Sequence, residues 1–176
     1  NRGLARQAKG DLDGAIKDYT EAIRLKPDYA NAYLNRGNTC KAKGDLDGAF
    51  KDFTEAIRLK PDYADAYAVR GTIRQNKGDL EGAIKDYTEA IRLKPDYAEV
   101  YGFRGAIHQN KGDLDGAIKD YTEAIRLKPD YALAYYSRGF ARQNKGDLDG
   151  AIKDYTEAIH LKPDYADVYH TRGFAR

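Results

Sequence analysis

Histidine and cysteine are the residue types best suited to catalysis or metal binding, and both are scarce in this chain. The three histidines are His108, His160 and His170, and Cys40 is the single cysteine. The histidines fall at different positions of the sequence repeat, so no two of them have the spacing of a zinc site. The sequence also lacks a glycine-rich phosphate loop and a nucleophile elbow. We therefore expect no enzymatic activity, no metal and no cofactor.

Charged residues at regular spacing form a second set of residues that could bind a ligand or pair with each other. The arginines are Arg36, Arg70, Arg104 and Arg138, and an aspartate follows each of them at Asp52, Asp86, Asp120 and Asp154. An unpaired guanidinium on a packed helix face would be costly to bury. We predict one Arg–Asp pair per repeat. The alternative is an anion-binding stripe that these arginines form together with Arg74, Arg142 and Arg176.

These residues recur because the chain is built from copies of one unit. Five prolines lie 34 residues apart, at Pro27, Pro61, Pro95, Pro129 and Pro163. The stretch GDLDGAIKDYTEAIRLKPDYA occurs at 10–30 and again at 112–132, and the other copies differ from it at one or two positions. A fixed period of this size indicates a repeat array, in which each unit buries its apolar face against its neighbours.

Each unit is predicted to contain two helices. Apolar residues between 114 and 127 follow three-and-four spacing, which is typical of an amphipathic helix. Gly112 suits the left-handed end of the preceding helix, and Asp113 suits the N-cap of this one. Pro129 should end the helix, and Asp130 is predicted to cap the next.

The predicted fold is all-α, with eleven helices and no strands in a single array. The array consists of a partial repeat at 1–29, full repeats at 30–63, 64–97, 98–131 and 132–165, and a partial repeat at 166–176. We expect helices at 1–9 and about 12–25, four helix pairs from 30 to 165, and a last partial helix from 166 to 176. Because the links are short, sequential helices should be antiparallel neighbours.

The repeat resembles the tetratricopeptide repeat in both its period and its pattern. The aromatic residue near the start of the first helix is matched by Tyr33, Tyr67, Tyr101, Tyr135 and Tyr169, and the glycine by Gly37, Gly71, Gly105, Gly139 and Gly173. Ala49, Phe53, Ala56 and Pro61 match the second half of the pattern. Departures from it are Arg36 and its copies before the glycine, and the late first-helix position, which holds Cys40, Arg74, His108, Arg142 and Arg176.

The resemblance implies a right-handed superhelix of antiparallel helix pairs. It also implies that a concave groove, lined by the first helix of each repeat, binds a peptide or a partner protein. Gly37 and its copies would let the paired helix approach closely.

One face of the first helices varies between copies, and we call it the variable face. At about 100° per residue it consists of four series: Asn31/Asp65/Glu99/Leu133/Asp167, Leu34/Ala68/Gly102/Tyr136/His170, Asn35/Val69/Phe103/Ser137/Thr171 and Asn38/Thr72/Ala106/Phe140/Phe174. Solvated second-helix residues such as Lys119 and Glu123 are the same in every copy. Neutral drift would have changed those residues too, so the contrast favours recognition by the variable face. The alternative is drift on a solvated surface.

The resemblance places the variable face in the groove. The predicted groove residues are Asn31, Asn35, Asn38, Asp65, Val69, Thr72, Glu99, Phe103, Gln109, Asn110, Tyr136, Phe140, Asn144 and His170. Aromatic residues in the later copies are the expected anchors for a partner, although some of them could pack between helices instead. The side-chain amides of Gln109, Asn110 and Asn144 could form hydrogen bonds with an extended peptide. Alternatively, these residues could be helix-end residues that are hydrogen-bonded to water.

The bulk composition narrows the class of partner. Lys+Arg (30) and Asp+Glu (28) nearly cancel, for a net charge of +2, which predicts neither a nucleic-acid surface nor a membrane surface. No apolar run is long enough to cross a bilayer. A lone cysteine is compatible with a reducing compartment, and the cytoplasm is the favoured location.

Two functions fit these observations. The first is a non-enzymatic scaffold that binds a peptide or partner protein in the groove. The second is a structural array that associates end to end with further copies, because both terminal repeats are partial and carry no polar capping helix.

Overall fold

The computed structural model describes residues 2–175, with side chains described from Arg2 to Gly173, and these residues form eleven α-helices. The helices are α1 (Arg2–Ala8), α2 (Leu12–Leu25), α3 (Ala30–Lys43), α4 (Leu46–Leu59), α5 (Ala64–Asn76), α6 (Leu80–Leu93), α7 (Ala98–Asn110), α8 (Leu114–Leu127), α9 (Ala132–Asn144), α10 (Leu148–Leu161) and α11 (Ala166–Ala175). No strand occurs within that range, and the predicted all-α helical repeat is confirmed. The predicted helix ends at Asn1 and Arg176, and the side chain of Phe174, lie outside the described residues.

The helices group into two compact units, α1–α6 (Asn1–Leu93) and α7–α11 (Lys94–Arg176). In the first unit, α1, α3 and α5 are first helices, and each packs on the second helix that follows it. The second unit repeats this arrangement with α7 on α8 and α9 on α10, and α10 packs on α11. First helices α7 and α9 also touch each other directly.

Glycine and aspartate lie at the turn from each first helix to the second helix that follows it, as the sequence predicts. The Asp113 carboxylate accepts a hydrogen bond from the Gly116 backbone amide at 2.9 Å, which caps α8. Gly112 has a φ of +80°, a conformation that glycine adopts without steric cost. The prediction for Asp130 is wrong. Its carbonyl accepts the Ala132 amide at 3.0 Å in the preceding turn, and Tyr131 takes the N-cap position without a side-chain cap.

Alanines and one aromatic ring from each second helix form the core of each unit. In the first unit, fully buried Phe53 packs with Ala49, Ile73 and Cys40. In the second unit, Tyr155 is fully buried and packs with neighbours that include Val168 of α11. The small alanines let the helices approach, so that each aromatic ring reaches the first helix beside it.

A glycine in each full first helix makes this close approach possible. A Cβ placed on Gly37 would lie 3.2 Å from Phe53 Cζ, and one placed on Gly105 would lie 3.0 Å from Tyr121 Cε1. A larger residue at these positions would push the second helix away. The sequence-based expectation for Gly37 and its copies is confirmed for these contacts.

The lengths and polarity of the helices bear on membrane insertion. Among the described residues, we find no helix that combines the length and the apolar character needed to cross a membrane.

Candidate functional site

The four predicted Arg–Asp pairs all form, and they are internal to the repeats. Arg104 donates from Nε to Asp120 Oδ2 and from Nη2 to Asp120 Oδ1, both at 2.8 Å. The equivalent two-point pairs are Arg36–Asp52, Arg70–Asp86 and Arg138–Asp154. The hydrogen bonds that Arg104 donates to the buried Asp120 carboxylate raise the pKa of Arg104. These two-point bonds connect first helix to second helix within each repeat.

The arginines late in the first helices use the same aspartates, which argues against the anion-binding stripe. Arg142 Nη1 donates to Asp154 Oδ2 at 2.8 Å, and Arg74 Nη1 lies 3.1 Å from Asp86 Oδ2. Each of these two aspartates therefore neutralises parts of two guanidinium groups. Arg176, the third arginine of that alternative, lies outside the described residues.

The histidines and the cysteine stand apart from one another. His108 Nδ1 lies 2.8 Å from Asp113 Oδ2, and His160 Nδ1 lies 3.6 Å from Glu157 Oε1 on the surface. Cys40 is buried in the first unit, and burial raises the pKa of its thiol. Within residues 2–175, no three His, Cys, Asp or Glu side chains gather closely enough to hold a metal ion.

The variable face of the first unit is polar at its surface. Asn31 and Asp65 are exposed, and Asn35 and Asn38 are half-buried. Val69 packs against the core of the unit. Thr72, the next residue of this face on α5, donates a hydrogen bond to the Ala68 carbonyl at 3.1 Å. All of the predicted groove residues in this unit except Val69 are polar, so this face offers few apolar anchors to a partner.

A cavity in this unit lies between α1, α2 and α3. It encloses about 750 Å³, part of it open to solvent, and Asn35 is the one predicted groove residue that lines it.

The variable face of the second unit contains an apolar pocket between α7 and α9, which we call the Gly102 pocket. It encloses about 340 Å³, part of it open to solvent. Its lining residues are Gly102, Phe103, Ala106, Tyr121, Tyr131, Leu133, Ala134 and Ser137. Five of the eight, Gly102, Phe103, Ala106, Leu133 and Ser137, belong to the four variable series. The pocket is thus built where the copies differ.

Two exposed apolar side chains form the rim of the Gly102 pocket. Phe103 is 40% exposed and Leu133 is 49% exposed. Large apolar side chains beside a pocket are a typical feature of a protein interaction site. Phe140, one turn beyond Ser137 on α9, is also exposed and extends the apolar surface.

The floor of the pocket is a buried tyrosine. Tyr121 is 3% exposed, and its hydroxyl donates to Gln109 Oε1 at 3.2 Å. The pKa of Tyr121 is raised to about 12, mainly by burial. A side-chain hydrogen bond with Ser137 has a smaller effect in the opposite direction. The floor therefore stays a neutral phenol at physiological pH. Gln109, a predicted groove residue, uses its carbonyl oxygen for this internal bond.

A charged pair lies beside the pocket without lining it. Lys128 Nζ donates to Glu99 Oε1 at 3.0 Å and also lies 5.2 Å from the centroid of the Tyr131 ring. A backbone hydrogen bond and then the Lys128 ammonium lower the pKa of Glu99. The two charges of this pair offset each other.

The remaining predicted residues differ in their exposure. Asn110 and Asn144 are exposed as the last residues of α7 and α9, and His170 is exposed on α11. Tyr136 is half-buried, with its ring centroid 5.9 Å from that of Tyr155 and 5.4 Å from that of Tyr165. Tyr136 therefore contributes to packing between helices, which was the alternative to an anchor role for the aromatic residues.

Gly102, Ala106, Leu133 and Ser137 line the pocket but are absent from the predicted groove residues. Each belongs to a variable series, and Gly102 is the one glycine of its series. A position that carries leucine, alanine, tyrosine or histidine in the other copies loses its side chain here. This missing side chain was the feature of the sequence that could have identified the pocket.

Comparisons with known proteins point to one repeat family. The family profile described as "TPR repeat" matches residues 3–41, 71–112, 105–146 and 144–176, and the profile "Tetratricopeptide repeat" matches residues 30–63. Among curated proteins, none matches this chain.

Solved structures of similar proteins support the same fold. A crystal structure of MamA is 29% identical, with a TM-score of 0.87, and covers 95% of this chain and 98% of its own. A second MamA structure is 30% identical, with a TM-score of 0.84, and covers 94% of this chain and 90% of its own. YrrB, described as a TPR protein with an unusual peptide-binding site, is 23% identical, with a TM-score of 0.86 and coverage of 97% and 88%.

Proposed function

The chain belongs to the tetratricopeptide repeat family, and from this premise we propose that it is a non-enzymatic scaffold that binds a peptide or partner protein on the variable face of its first helices. One observation carries the proposal. The Gly102 pocket, lined by α7, α9 and two tyrosines, draws most of its lining from positions that differ between copies.

The constant residues support a division of labour within each repeat. Asp120 and Tyr121 of α8 are buried against α7, where they bind Arg104 and pack on Gly105. Their copies in α4, α6 and α10 are buried in the same way. These residues hold the helices together, so the variable face is free to differ without loss of the fold.

The chemistry of the variable face in the second unit indicates an apolar anchor on the partner. Phe103, Leu133 and Phe140 are exposed there, and the nearby Glu99 and Lys128 neutralise each other. Desolvated aromatic and aliphatic contacts supply most of the binding energy at such sites. A short linear segment bound there would have a Kd of ~1 μM, equivalent to about −8 kcal/mol.

The proposal is tested with peptides selected from a random display library against the whole chain. We expect Phe103→Ala and Leu133→Ala each to raise the Kd of the selected peptides about tenfold or more, because each removes an exposed apolar contact. Fluorescence anisotropy with a labelled peptide measures the Kd. Circular dichroism checks that helix content is unchanged.

Lys119→Ala is the matched control, since Lys119 lies on α8, away from the pocket lining. It should leave the Kd within twofold, a range of about 0.4 kcal/mol. Selected peptides whose Kd responds to Lys119→Ala and ignores both pocket variants would place binding on the second helices and refute the proposal.

Self-association through the terminal repeats is a second candidate, and α11 presents the surface that it would use. Gly37, Gly71, Gly105 and Gly139 each face an aromatic ring of a second helix, whereas none of the described residues lies within 4 Å of a Cβ placed on Gly173. Arg172 donates to Thr156 Oγ1 at 3.3 Å, and no carboxylate among the described side chains contacts it. Tyr169 on the same helix is exposed.

The occupant of this face would be α2 of a second copy. Helix α2 carries Asp18 and Tyr19 at the positions of the aspartate and aromatic ring that cover the other first helices. Within one chain, Arg2 contacts Asp18 and Gly3 faces the Tyr19 ring. Helix α11 of another copy would therefore replace the short helix α1 in these contacts.

Sedimentation velocity at increasing concentration tests this candidate. The unmodified chain should form dimers and longer assemblies, and Arg172→Glu should shift it to the monomer by opposing Asp18. Lys153→Glu, an exposed change on α10, should leave the distribution unchanged. A chain that stays monomeric at the highest concentration would exclude self-association through α11.

A further inference from the structure

We propose that the Gly102 pocket accepts one aromatic side chain, phenylalanine or tyrosine, from a bound polypeptide. This inference rests on the proposed function, and it specifies the chemical class of the residue that anchors the partner. The occupant follows from a comparison of two successive repeats in the second unit.

The next repeat has an aromatic ring at the position equivalent to Gly102. Tyr136 of α9 stands where Gly102 stands in α7. The Tyr136 ring centroid lies 5.9 Å from that of Tyr155, with the rings tilted by 41°, and 5.4 Å from that of Tyr165, tilted by 47°. Aromatic pairs prefer tilted arrangements at such separations over a flat stack.

The two partner rings of Tyr136 have counterparts at the Gly102 pocket. Tyr121 is the copy of Tyr155, and Tyr131 is the copy of Tyr165. Both line the pocket. A Cβ placed on Gly102 would lie 3.4 Å from the Tyr131 hydroxyl and 3.5 Å from its Cε1, so the missing side chain would sit directly against Tyr131. The pocket is therefore the place that a tyrosine ring fills one repeat later.

The lining also fits a neutral ring better than a charged group. None of the eight lining residues is charged, and their polar side-chain atoms are the hydroxyls of Tyr121, Tyr131 and Ser137. Burial of a charge there without a partner would be unfavourable. The Tyr121, Tyr131 and Phe103 rings offer faces and edges to a further ring, which an aliphatic side chain would use less well.

The tyrosine ring that borders each site has an equivalent lysine beside it. Lys128 Nζ lies 5.2 Å from the centroid of the Tyr131 ring, and Lys162 Nζ lies 5.1 Å from that of Tyr165. The rings that border each site are thus held in the same way. Besides the side chain at Gly102 and Tyr136, the two sites differ at other lining positions, where Phe103, Ala106 and Leu133 are replaced by Ser137, Phe140 and Asp167 one repeat later.

The test uses single amino-acid probes on the whole ¹⁵N-labelled chain. N-acetyl-tyrosinamide and N-acetyl-phenylalaninamide are titrated and compared with N-acetyl-leucinamide, which carries the same backbone. We expect the aromatic probes to shift the amide signals of Gly102, Ala106 and Ser137 in a saturable way, at least threefold more tightly than the leucine probe. Equal or tighter binding of the leucine probe would overturn the preference for a ring.

Two substitutions test the inference further: one fills the Gly102 pocket, and the other opens the equivalent site in α9. Gly102→Tyr should place a ring in the pocket, as in α9, and abolish the shifts, while the amide signals of buried Ala151 and Ala158 in α10 confirm that the second unit is folded. Tyr136→Gly should open a second pocket, with new shifts around Tyr155 and Tyr165. Shifts that persist in Gly102→Tyr would overturn the inference even if Tyr136→Gly does not fold.

The peptides selected by display separate this inference from the proposed function. Peptides that lose affinity with Phe103→Ala but keep it with Gly102→Tyr would overturn the ring anchor and support the proposed function. Aromatic probes that bind the pocket while no selected peptide responds to either variant would support the ring site and refute the proposed function.

Discussion

Asp154→Asn should lower the free energy of unfolding by about 3–5 kcal/mol, the typical cost of breaking a buried ion pair. Asp154 is 3% exposed. Its carboxylate accepts hydrogen bonds from Arg138 Nη2 at 2.7 Å, Arg138 Nε at 2.9 Å and Arg142 Nη1 at 2.8 Å. Asparagine has nearly the same shape but no charge, so part-buried Arg138 would lose its counter-ion, while Arg142 would keep Asp147, whose Oδ2 lies 3.7 Å from Arg142 Nε.

The copies of this aspartate should differ in a predictable order. Asp86 also contacts two arginines, through Arg70 and Arg74, so Asp86→Asn should cost about as much. Asp52 pairs with Arg36, and the late position of its first helix holds Cys40 instead of a second arginine. Asp52→Asn should therefore be the milder change.

Urea denaturation followed by circular dichroism measures these differences. Asp149→Asn is the control, because Asp149 is an exposed acid in the first turn of α10, where a surface change typically stays within about 0.5 kcal/mol. An Asp154→Asn variant as stable as the Asp149→Asn control would show that the buried pairs do not hold the repeats together.

Gly139→Ala should destabilise the chain by about 1–3 kcal/mol, through overpacking between α9 and α10. A Cβ at Gly139 would lie 2.8 Å from Tyr155 Cε1 and 2.9 Å from Tyr155 Cδ1. Tyr155 is fully buried, so its ring has no room to move away. The helices would have to separate to admit the methyl group.

Gly173→Ala is the matched control within the same chain. Gly173 also follows an arginine in a first helix, but no residue of the described part of the chain lies within 4 Å of its added Cβ. Alanine favours a helix over glycine by up to about 1 kcal/mol, so this change should be neutral or stabilising. Thermal unfolding of the two variants should shift in different directions. A loss of stability in Gly173→Ala as large as that in Gly139→Ala would contradict the role of close helix packing.

Features that depend on one repeat at a time were predictable from the sequence. The cap at Asp113 and the turn at Gly112 follow from residues next to each other in the chain. The Arg104–Asp120 pair was predicted because both residues recur at a fixed separation and an unpaired arginine would be costly to bury. Periodicity converted these local arguments into helix boundaries for the whole chain.

Features that depend on how repeats differ were harder to predict. The Gly102 pocket arises from a missing side chain. A glycine has no side-chain chemistry that would mark its position as part of a binding site. Gln109 looked free to bond a ligand, but its partner, the Tyr121 hydroxyl, comes from the next helix. The prediction for Asp130 was wrong because the backbone of the turn, rather than the side chain, determines where α9 begins.

The two parts of each repeat thus have separate physical tasks. In the second unit, buried Asp120, Tyr121 and their copies in α10 determine the packing of first on second helix. Gly102, Phe103 and Leu133 determine the shape and chemistry of the surface that remains. A change to the first group should alter stability, and a change to the second should alter binding.

The most direct test of this division of tasks is to map a selected peptide on the ¹⁵N-labelled chain by its amide chemical-shift changes. We expect the largest changes at Gly102, Phe103, Ala106, Leu133 and Ser137, with little change at the second-helix positions Lys119 and Thr122. Changes concentrated at Lys119, Thr122 and their copies in other second helices would contradict it, because the constant face would then bind the partner.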